Sequence, residues 1–246
     1  MSEGPPVELS IVLPVYNEGE AVERVLRAMS TGVTTPHELV VVYDFDEDTT
    51  VPVIARLAPE IPGLRGLRND LGRGVLNAMK AGISGTTAPY VLISMADGSD
   101  EPQIVDSMVA LARDGADVVA ASRYMRGGQQ VGGPPIKRLL SRTAGLTLHW
   151  FAGVATRDAT NNFKLYSRRL LDAVTIESTA GFELALELTV KATLDGRRIA
   201  EVPTTWRDRT AGRSNFKLRT WLPHYLHWYA AAFWGRWFAR GRPIQG

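Results

Sequence analysis

Two short apolar runs in the first hundred residues each end in a burst of carboxylates. Residues 38–43 run into Asp44, Asp46, Glu47 and Asp48; residues 90–95 run into Asp97, Asp100 and Glu101. Runs this short and rich in β-branched residues, set between helical patterns, predict buried strands of a parallel sheet. Ligands of open α/β sheets collect in the crevice beyond the carboxyl ends of the strands. Two acidic tips in that crevice make a seat for a hydrated cation carrying phosphates, because hard divalent ions prefer oxygen ligands.

The rest of the first half follows the same rhythm. Leu9 to Leu13 read as a strand ended by Pro14, and Ala21, Val22, Val25, Leu26 and Met29 recur at helical spacing. A helix is expected around Val51, Ile54 and Leu57, then a short run at Leu64 to Leu67. Gly72-Arg73-Gly74 opens a helix carrying Val75, Leu76, Met79 and Ile83. A helix from Pro102 to Arg113 and a strand from Asp117 to Ala121 follow. The alternation predicts an α/β fold, a right-handed parallel sheet with helices on both faces.

The second half is less regular. Glycines 127, 128, 132 and 133, with Pro134 and Pro135, punctuate a loop expected to be mobile. Helices are expected at about 136–152 and 182–194, a strand at 199–202, and a basic loop at 204–219. A length of 246 residues allows one large domain, or a domain plus a smaller extension.

Charge divides the chain sharply. Residues 1–122 carry a balance of −10 and residues 123–246 a balance of +12. An acidic half followed by a basic half suggests a cation site in one and an anionic partner for the other. Solvated surface charge is the plainer account. The chain has no cysteine, which excludes disulfides and thiolate metal sites and fits a reducing compartment. Residues 1–8 show neither a basic nor an apolar stretch, so no signal peptide is expected. Residues 221–238 hold four of the six tryptophans, interrupted by Pro223, His224, His227 and Arg236. Such a segment is a poor transmembrane span. It suits a membrane interface, and equally the protein's own core or a partner subunit.

A set of motifs stands in order along residues 9–217: Leu13-Pro14-Val15-Tyr16-Asn17-Glu18, the acidic turn at Asp44, Gly72-Arg73-Gly74, and Asp97. Ser122-Arg123-Tyr124, Lys137 to Arg142, Arg157 to Phe163, and Val202-Pro203 followed by Arg209 to Ser214 complete it. Together they resemble family 2 glycosyltransferases of the GT-A fold. More narrowly, they are similar to the dolichol-phosphate mannose synthase group, which moves a sugar from a nucleotide sugar to a polyprenyl phosphate.

The resemblance implies a Rossmann-like, mostly parallel sheet flanked by helices, ending in amphipathic interfacial helices. It divides the chain into a catalytic domain, 1–220, and an aromatic basic tail, 221–246. A nucleotide-binding half, 1–122, and an acceptor half, 123–220, make up the domain. Nucleotide contacts fall on Pro14, Tyr16, Glu18, Asp44, Asp46, Gly72, Gly74 and Ala96. Without the resemblance, Pro14 is a strand terminator, Glu18 a carboxylate at a helix start and Asp44 a turn residue.

Asp97 matches the second aspartate of the family's Asp-x-Asp motif, which holds a magnesium or manganese ion against the donor diphosphate. Here the first aspartate is replaced, leaving Met95-Ala96-Asp97. Ser99 can add an oxygen, and Asp100 is a substitute. The ion would neutralise charge growing on the leaving nucleotide. Asp97 and Arg123 are the expected catalytic residues.

The basic half then suits the acceptor. A polyprenyl phosphate is already an anion, so it needs orientation and charge screening rather than a general base. Arg123, Lys137, Arg138, Ser141, Arg209 and Lys217 match phosphate-contacting positions, and arginine's planar fork suits phosphate. Where the family carries a Ser-Lys pair, this chain has Ser214-Asn215, with Arg213 and Lys217 nearby. Asp158, Asn161 and Asn162 are expected to floor the sugar site. The apolar stretch after Arg142 reads as an interfacial helix or as core.

The expected partners are a nucleotide sugar (GDP-mannose or a UDP-sugar), a polyprenyl phosphate and the cytoplasmic face of a membrane. A membrane subunit or a second copy of the chain stays open. One alternative keeps the fold but elongates a glycan or a small alcohol, which needs a carboxylate base; residues 175–190 show no clear acidic pair in that context. Another is a non-catalytic nucleotide-sugar-binding module, favoured by the loss at Met95. Nucleic acid is not expected, since no recognition motif is present.

Overall fold

The computed structural model describes residues 6–179, 181–208 and 218–238, without the side chains of 218–221 and 238. Arg209 and Lys217 lie outside the described residues. So do residues 239–246 of the tail.

Strands β1 (Leu9–Pro14), β2 (His37–Tyr43), β3 (Leu64–Arg68), β4 (Tyr90–Ile93) and β5 (Val118–Ser122) alternate with helices, as the periodicity predicts. Helices α1 (Ala21–Gly32), α2 (Val51–Leu57), α3 (Val75–Ser84) and α4 (Val105–Arg113) connect them, with a 3-10 turn at Pro102–Ile104. Val22, Val25, Leu26 and Met29 form the buried stripe of α1. Each such side chain contributes roughly 1.5–3 kcal/mol on burial, and truncating Leu26 to alanine costs about 2–5 kcal/mol. Asp106, at the start of α4, accepts from the N–H groups of Thr34 and Thr35 and from both hydroxyls.

The second half supplies β6 (Gln129–Val131), α5 (Pro135–Thr147), a π-helical turn (Leu148–Ala152), β7 (Lys164–Ser167) and α6 (Arg168–Ala173). It continues with α7 (Leu184–Leu194), β8 (Ile199–Pro203), β9 (Thr205–Arg207) and α8 (Leu218–Phe238). The main sheet has seven strands in the order β3-β2-β1-β4-β7-β5-β8. All neighbours are parallel except β7, which runs antiparallel to both β4 and β5. Its first residue, Lys164, therefore lies level with Ile93, the last residue of β4, and with Ala120, midway along β5. Strands β6 and β9 pair in parallel as a separate two-stranded sheet.

Helices α1, α2 and α4 cover one face of the sheet; α3, α6 and α7 cover the other. Gly82 lets α3 sit close on β1, since a Cβ there would stand 2.2 Å from Val12 Cγ1. Gly145 does the same for α5, whose close neighbour is the carbonyl oxygen of Arg157.

A third cluster unites Leu148, Ala152, Leu186 and Val190 with Trp228 and Ala232 of α8. The tail thus packs on the protein's own core through one side. Leu222, Leu226, Trp234 and Trp237 of α8 are exposed, as are Ile136, Leu139, Leu140, Trp150 and Phe151. Among the described residues, no helix is long and apolar enough to cross a membrane.

Candidate active site

The loops after β1, β2 and β4 meet along the carboxyl edge of the sheet. Asn17 adopts a positive φ of 54°, tolerated by asparagine better than by most residues. Its N–H donates to Asp48 Oδ2 at 2.9 Å, and its Oδ1 accepts from Thr49 N–H at 3.1 Å. Glu18 N–H donates to Thr50 Oγ1 at 3.1 Å, so the β1 and β2 loops are braced together. Pro14 ends β1 as a buried residue. Tyr16 is 54% exposed and meets Phe45 edge-on at 5.7 Å between ring centroids. The Arg73 guanidinium lies 4.7 Å from the Phe45 centroid. The rim therefore offers an aromatic pair and a cation, a surface suited to a planar base.

Asp44 faces the glycine loop. It accepts from Asn69 Nδ2 at 2.7 Å and from Gly74 N–H at 2.8 Å. Asn69 Nδ2 also holds the Gly72 carbonyl at 2.7 Å. Gly72 and Gly74 take φ of 97° and 127°, and a Cβ on Gly74 would meet nothing within 4 Å. The glycine at 74 is there for backbone conformation, and the space beside it is open. Asp46 is exposed and pairs with Arg68 at 3.4 Å.

After β4 the chain turns through Ser94 to Asp100. Asp97 is half-buried and accepts from Ser99 N–H at 3.0 Å; Ala96 and Ser99 are buried beside it. Asp100 turns inward, accepting from Ser94 Oγ at 2.8 Å and Met95 N–H at 3.0 Å. Burial pushes its carboxyl up to about 7 against the Met95 hydrogen bond, and the charge of Asp97 adds to the rise. Arg123 acts on the same carboxyl in the opposite sense, so the acidic loop and the end of β5 converge. Among the described residues, no group of three His, Cys, Asp or Glu could hold a metal ion. One half-buried carboxylate nevertheless fits a magnesium-type ion that takes its other oxygens from diphosphate and water.

The basic side is built differently. Arg123 is only 11% exposed in its side chain and forks onto Asp158. Nε reaches Oδ2 at 2.7 Å, Nη2 reaches Oδ1 at 2.8 Å, and the main-chain N–H adds a third bond. The fork expected to grip a phosphate thus grips a carboxylate through Nε and Nη2, with Nη1 outside that pair. Burial opposes ionisation of Asp158, but the charge and hydrogen bonds of Arg123, with the charge of Lys164, together outweigh it and hold the carboxyl below its ordinary range. Lys164, fully buried, donates to the carbonyls of Asp158 at 3.0 Å and Ala159 at 3.1 Å, and to that of Asn161. Burial pulls its pKa down to about 7, Asp158 opposing and Arg123 adding to the fall. Asn161 Nδ2 donates to the Ala121 carbonyl at 2.9 Å. Asp158 and Asn161 therefore fix β5 and its arginine, and Lys164 fixes them.

Tyr124 carries this framework to α5, bonding Ser141 Oγ and donating to Gln130 Oε1 at 3.0 Å. Lys137 is half-buried and Arg138 exposed on the same helix. Glu101 accepts from Thr205 N–H at 2.6 Å and Thr204 Oγ1 at 3.1 Å, fastening the acidic loop to the strand that pairs with β6. Glu183 is fully buried just before α7. Burial raises the Tyr225 phenol, with Glu183 adding and Arg123 opposing, so α8 closes over the basic side. The Lys164 and Asp158 pairings and the role of Glu101 escape a reading of the sequence. The polar run Arg157 to Asn162 was the only signal near them.

Residues 10–175 match the model of the family described as glycosyl transferase family 2. Among curated proteins, the chain is 23% identical to a dolichol-phosphate mannosyltransferase of Pyrococcus furiosus over 93% of its own length. It spans 64% of that relative. It is 28% identical to an undecaprenyl-phosphate mannosyltransferase of Micrococcus luteus, covering 91% of this chain and 94% of that one. A polyprenol monophosphomannose synthase of Mycolicibacterium smegmatis is 29% identical, covering 83% and 79%. Among solved structures, glucosyl-3-phosphoglycerate synthase of Mycobacterium tuberculosis, in complex with Mn2+, UDP and glucosyl-3-phosphoglycerate, aligns with a TM-score of 0.67. It is 20% identical, covering 98% of this chain and 82% of that one, and shows the fold alone. The same enzyme with Mg2+ and UDP aligns with a TM-score of 0.63. By the extent of the family match, this chain belongs to glycosyl transferase family 2 and is a glycosyltransferase.

Proposed function

We propose that this protein transfers a hexose, with inversion, from a nucleotide sugar to the phosphate of a polyprenyl phosphate at a membrane surface. The observation that carries the reading is convergence. A half-buried acidic side chain, Asp97, and a buried cation, Arg123, follow β4 and β5, the two strands that flank β7, and act on the same Asp100 carboxyl. The relatives named as polyprenyl-phosphate mannosyltransferases support the acceptor class.

In this reading, residues 1–122 serve the donor and 123–220 the acceptor. Tyr16, Phe45 and Arg73 frame the base; Asp44 holds the glycine loop out of its way. Asp97 holds a magnesium or manganese ion, with Ser99 keeping the carboxylate oriented through its N–H. Such an ion would take up charge on the departing diphosphate. An acceptor phosphate oxygen attacks the anomeric carbon as the bond to the nucleoside diphosphate breaks. No base is needed, because that oxygen is already ionised. Arg123 Nη1, Lys137 and Arg138 draw the phosphate in, with Arg209 and Lys217 completing the set. The exposed apolar residues of α5 and α8 support a peripheral seat on lipid, which this reading assigns to the cytoplasmic face.

The test is reconstitution. Purified protein is incubated with magnesium or manganese, a short polyprenyl phosphate, and GDP-mannose, UDP-glucose or UDP-N-acetylglucosamine. We expect a sugar-bearing lipid from one donor, lost when the ion is chelated. Retention of nucleotide sugar with no lipid product from any donor would indicate a binding module and overturn the reading.

A further inference from the structure

Between the segment after α6 and the first half of α8 lies a cavity of about 250 Å3. Ser178, Thr179, Glu183, His224, His227 and Trp228 wall it. Ser178 is 4% exposed, and its hydroxyl has no hydrogen-bond partner among the described residues. Its main chain, by contrast, is pinned. The N–H donates to Glu187 Oε2 at 2.8 Å, and the carbonyl accepts from Lys80 Nζ at 2.8 Å. The preceding N–H, of Glu177, donates to Glu187 Oε1 at 2.6 Å. A buried hydroxyl without a partner is rare in folded proteins, and one held rigidly at a cavity wall asks for a ligand or ordered water.

The wall chemistry narrows the ligand. Glu183 and Glu177 disfavour an anion. A cation is drawn weakly, because Lys191 already meets Glu177 at 2.6 Å and Glu187 at 2.9 Å. What remains are hydroxyls, imidazoles and a carboxylate, groups that give and take hydrogen bonds with neutral hydroxyls. The volume lies below the roughly 300–1,000 Å3 of drug-sized pockets, which suits one monosaccharide ring. Glu183 and Arg123 both act on the charge of the Tyr225 phenol, and α8, which carries Tyr225, also carries His224 and His227 of the cavity wall.

We infer that this cavity is the hexose-recognition pocket, with Ser178 Oγ bonding one ring hydroxyl and the α8 histidines meeting others. The inference rests on the transferase reading and deepens it, making Ser178, His224 and His227 determinants of sugar choice.

Calorimetric titration with UDP, UDP-glucose, GDP and GDP-mannose, all with magnesium, tests it. In Ser178→Ala, affinity for the bare nucleoside diphosphate stays at the wild-type value, which also reports an intact fold. Affinity for the matching nucleotide sugar falls about tenfold, as expected for one lost hydrogen bond to a buried partner. Ser178→Thr keeps the hydroxyl and restores much of it; His227→Gln shifts sugar affinity alone. Unchanged sugar affinity in both Ser178→Ala and His227→Gln means the cavity holds only water, and overturns the inference. A wild type that binds nucleotide sugars selectively but never transfers them defeats the transferase reading and spares the pocket. A wild type that binds no nucleotide defeats both.

Discussion

The two sides of the crevice satisfy their carboxylates in opposite ways. On the donor side, Asp44, Asp48, Asp97 and Asp100 accept from main-chain N–H groups, as Asp106 does at the opposite, amino edge of the sheet. On the acceptor side, Asp158 meets Arg123 and Glu201 meets Arg157. A carboxylate held by amides has no countercharge of its own, so it can still take a cation. A carboxylate held by a guanidinium is neutralised, and where the guanidinium is buried, as in Arg123, its partner is fixed in place. The first arrangement builds an ion seat that can be emptied without harm; the second builds an anion seat that is part of the fold.

Removing one partner from each side should break them unequally. Asp158→Ala strands a buried guanidinium, so stability should fall by about 3–5 kcal/mol in urea unfolding. A loss below about 1 kcal/mol would show that Arg123 finds other compensation and that the contrast is false. Asp97→Ala should instead leave unfolding unchanged while transfer drops at least about a hundredfold, the scale of lost electrostatic stabilisation of a departing charge. Full activity in that variant would remove the ion seat from the mechanism.

The smallest effect belongs to Asp106. Burial opposes its ionisation, and the bonds from Thr34 and Thr35 outweigh that, holding the carboxyl at about 2 against an ordinary 3.8. Its contribution is therefore complete above pH 3.8 and vanishes as pH falls through 2. With solvent screening allowed for, Asp106→Asn should cost about 1 kcal/mol at pH 7. Parallel pH titrations of unfolding for both proteins should converge near pH 2, and a constant gap would mean the charge is irrelevant.

This contrast also explains what could be read in advance. The donor half is local: strands β1 to β5 and helices α1 to α4 announce themselves by period, and its carboxylates bond within a few residues or to the adjacent loop. Asp97 stood out because it follows a strand. The acceptor half depends on pairings across the chain. Asp158 and Arg123 are separated by 35 residues, and Arg157 and Glu201 by 44. Strand β7 has four residues, the first a lysine, so it reads as loop until the sheet closes around it. The basic residues were found as a set; that the foremost of them, Arg123, spends its fork on Asp158 was not legible. Nothing in the sequence marks a lone serine such as Ser178 as unpartnered.

Strand β7 carries one further consequence. It is inserted between β4 and β5, which precede it in the chain. Until residues 164–167 arrive, β4 lacks a neighbour on one margin, and β5 lacks neighbours on both, since β8 comes later still. Open margins of that kind recruit other chains. A fragment cut at residue 122 would therefore not behave as a free-standing half, however regular its motif. It should clump, and the break between acidic and basic halves is not a seam along which the molecule can be divided.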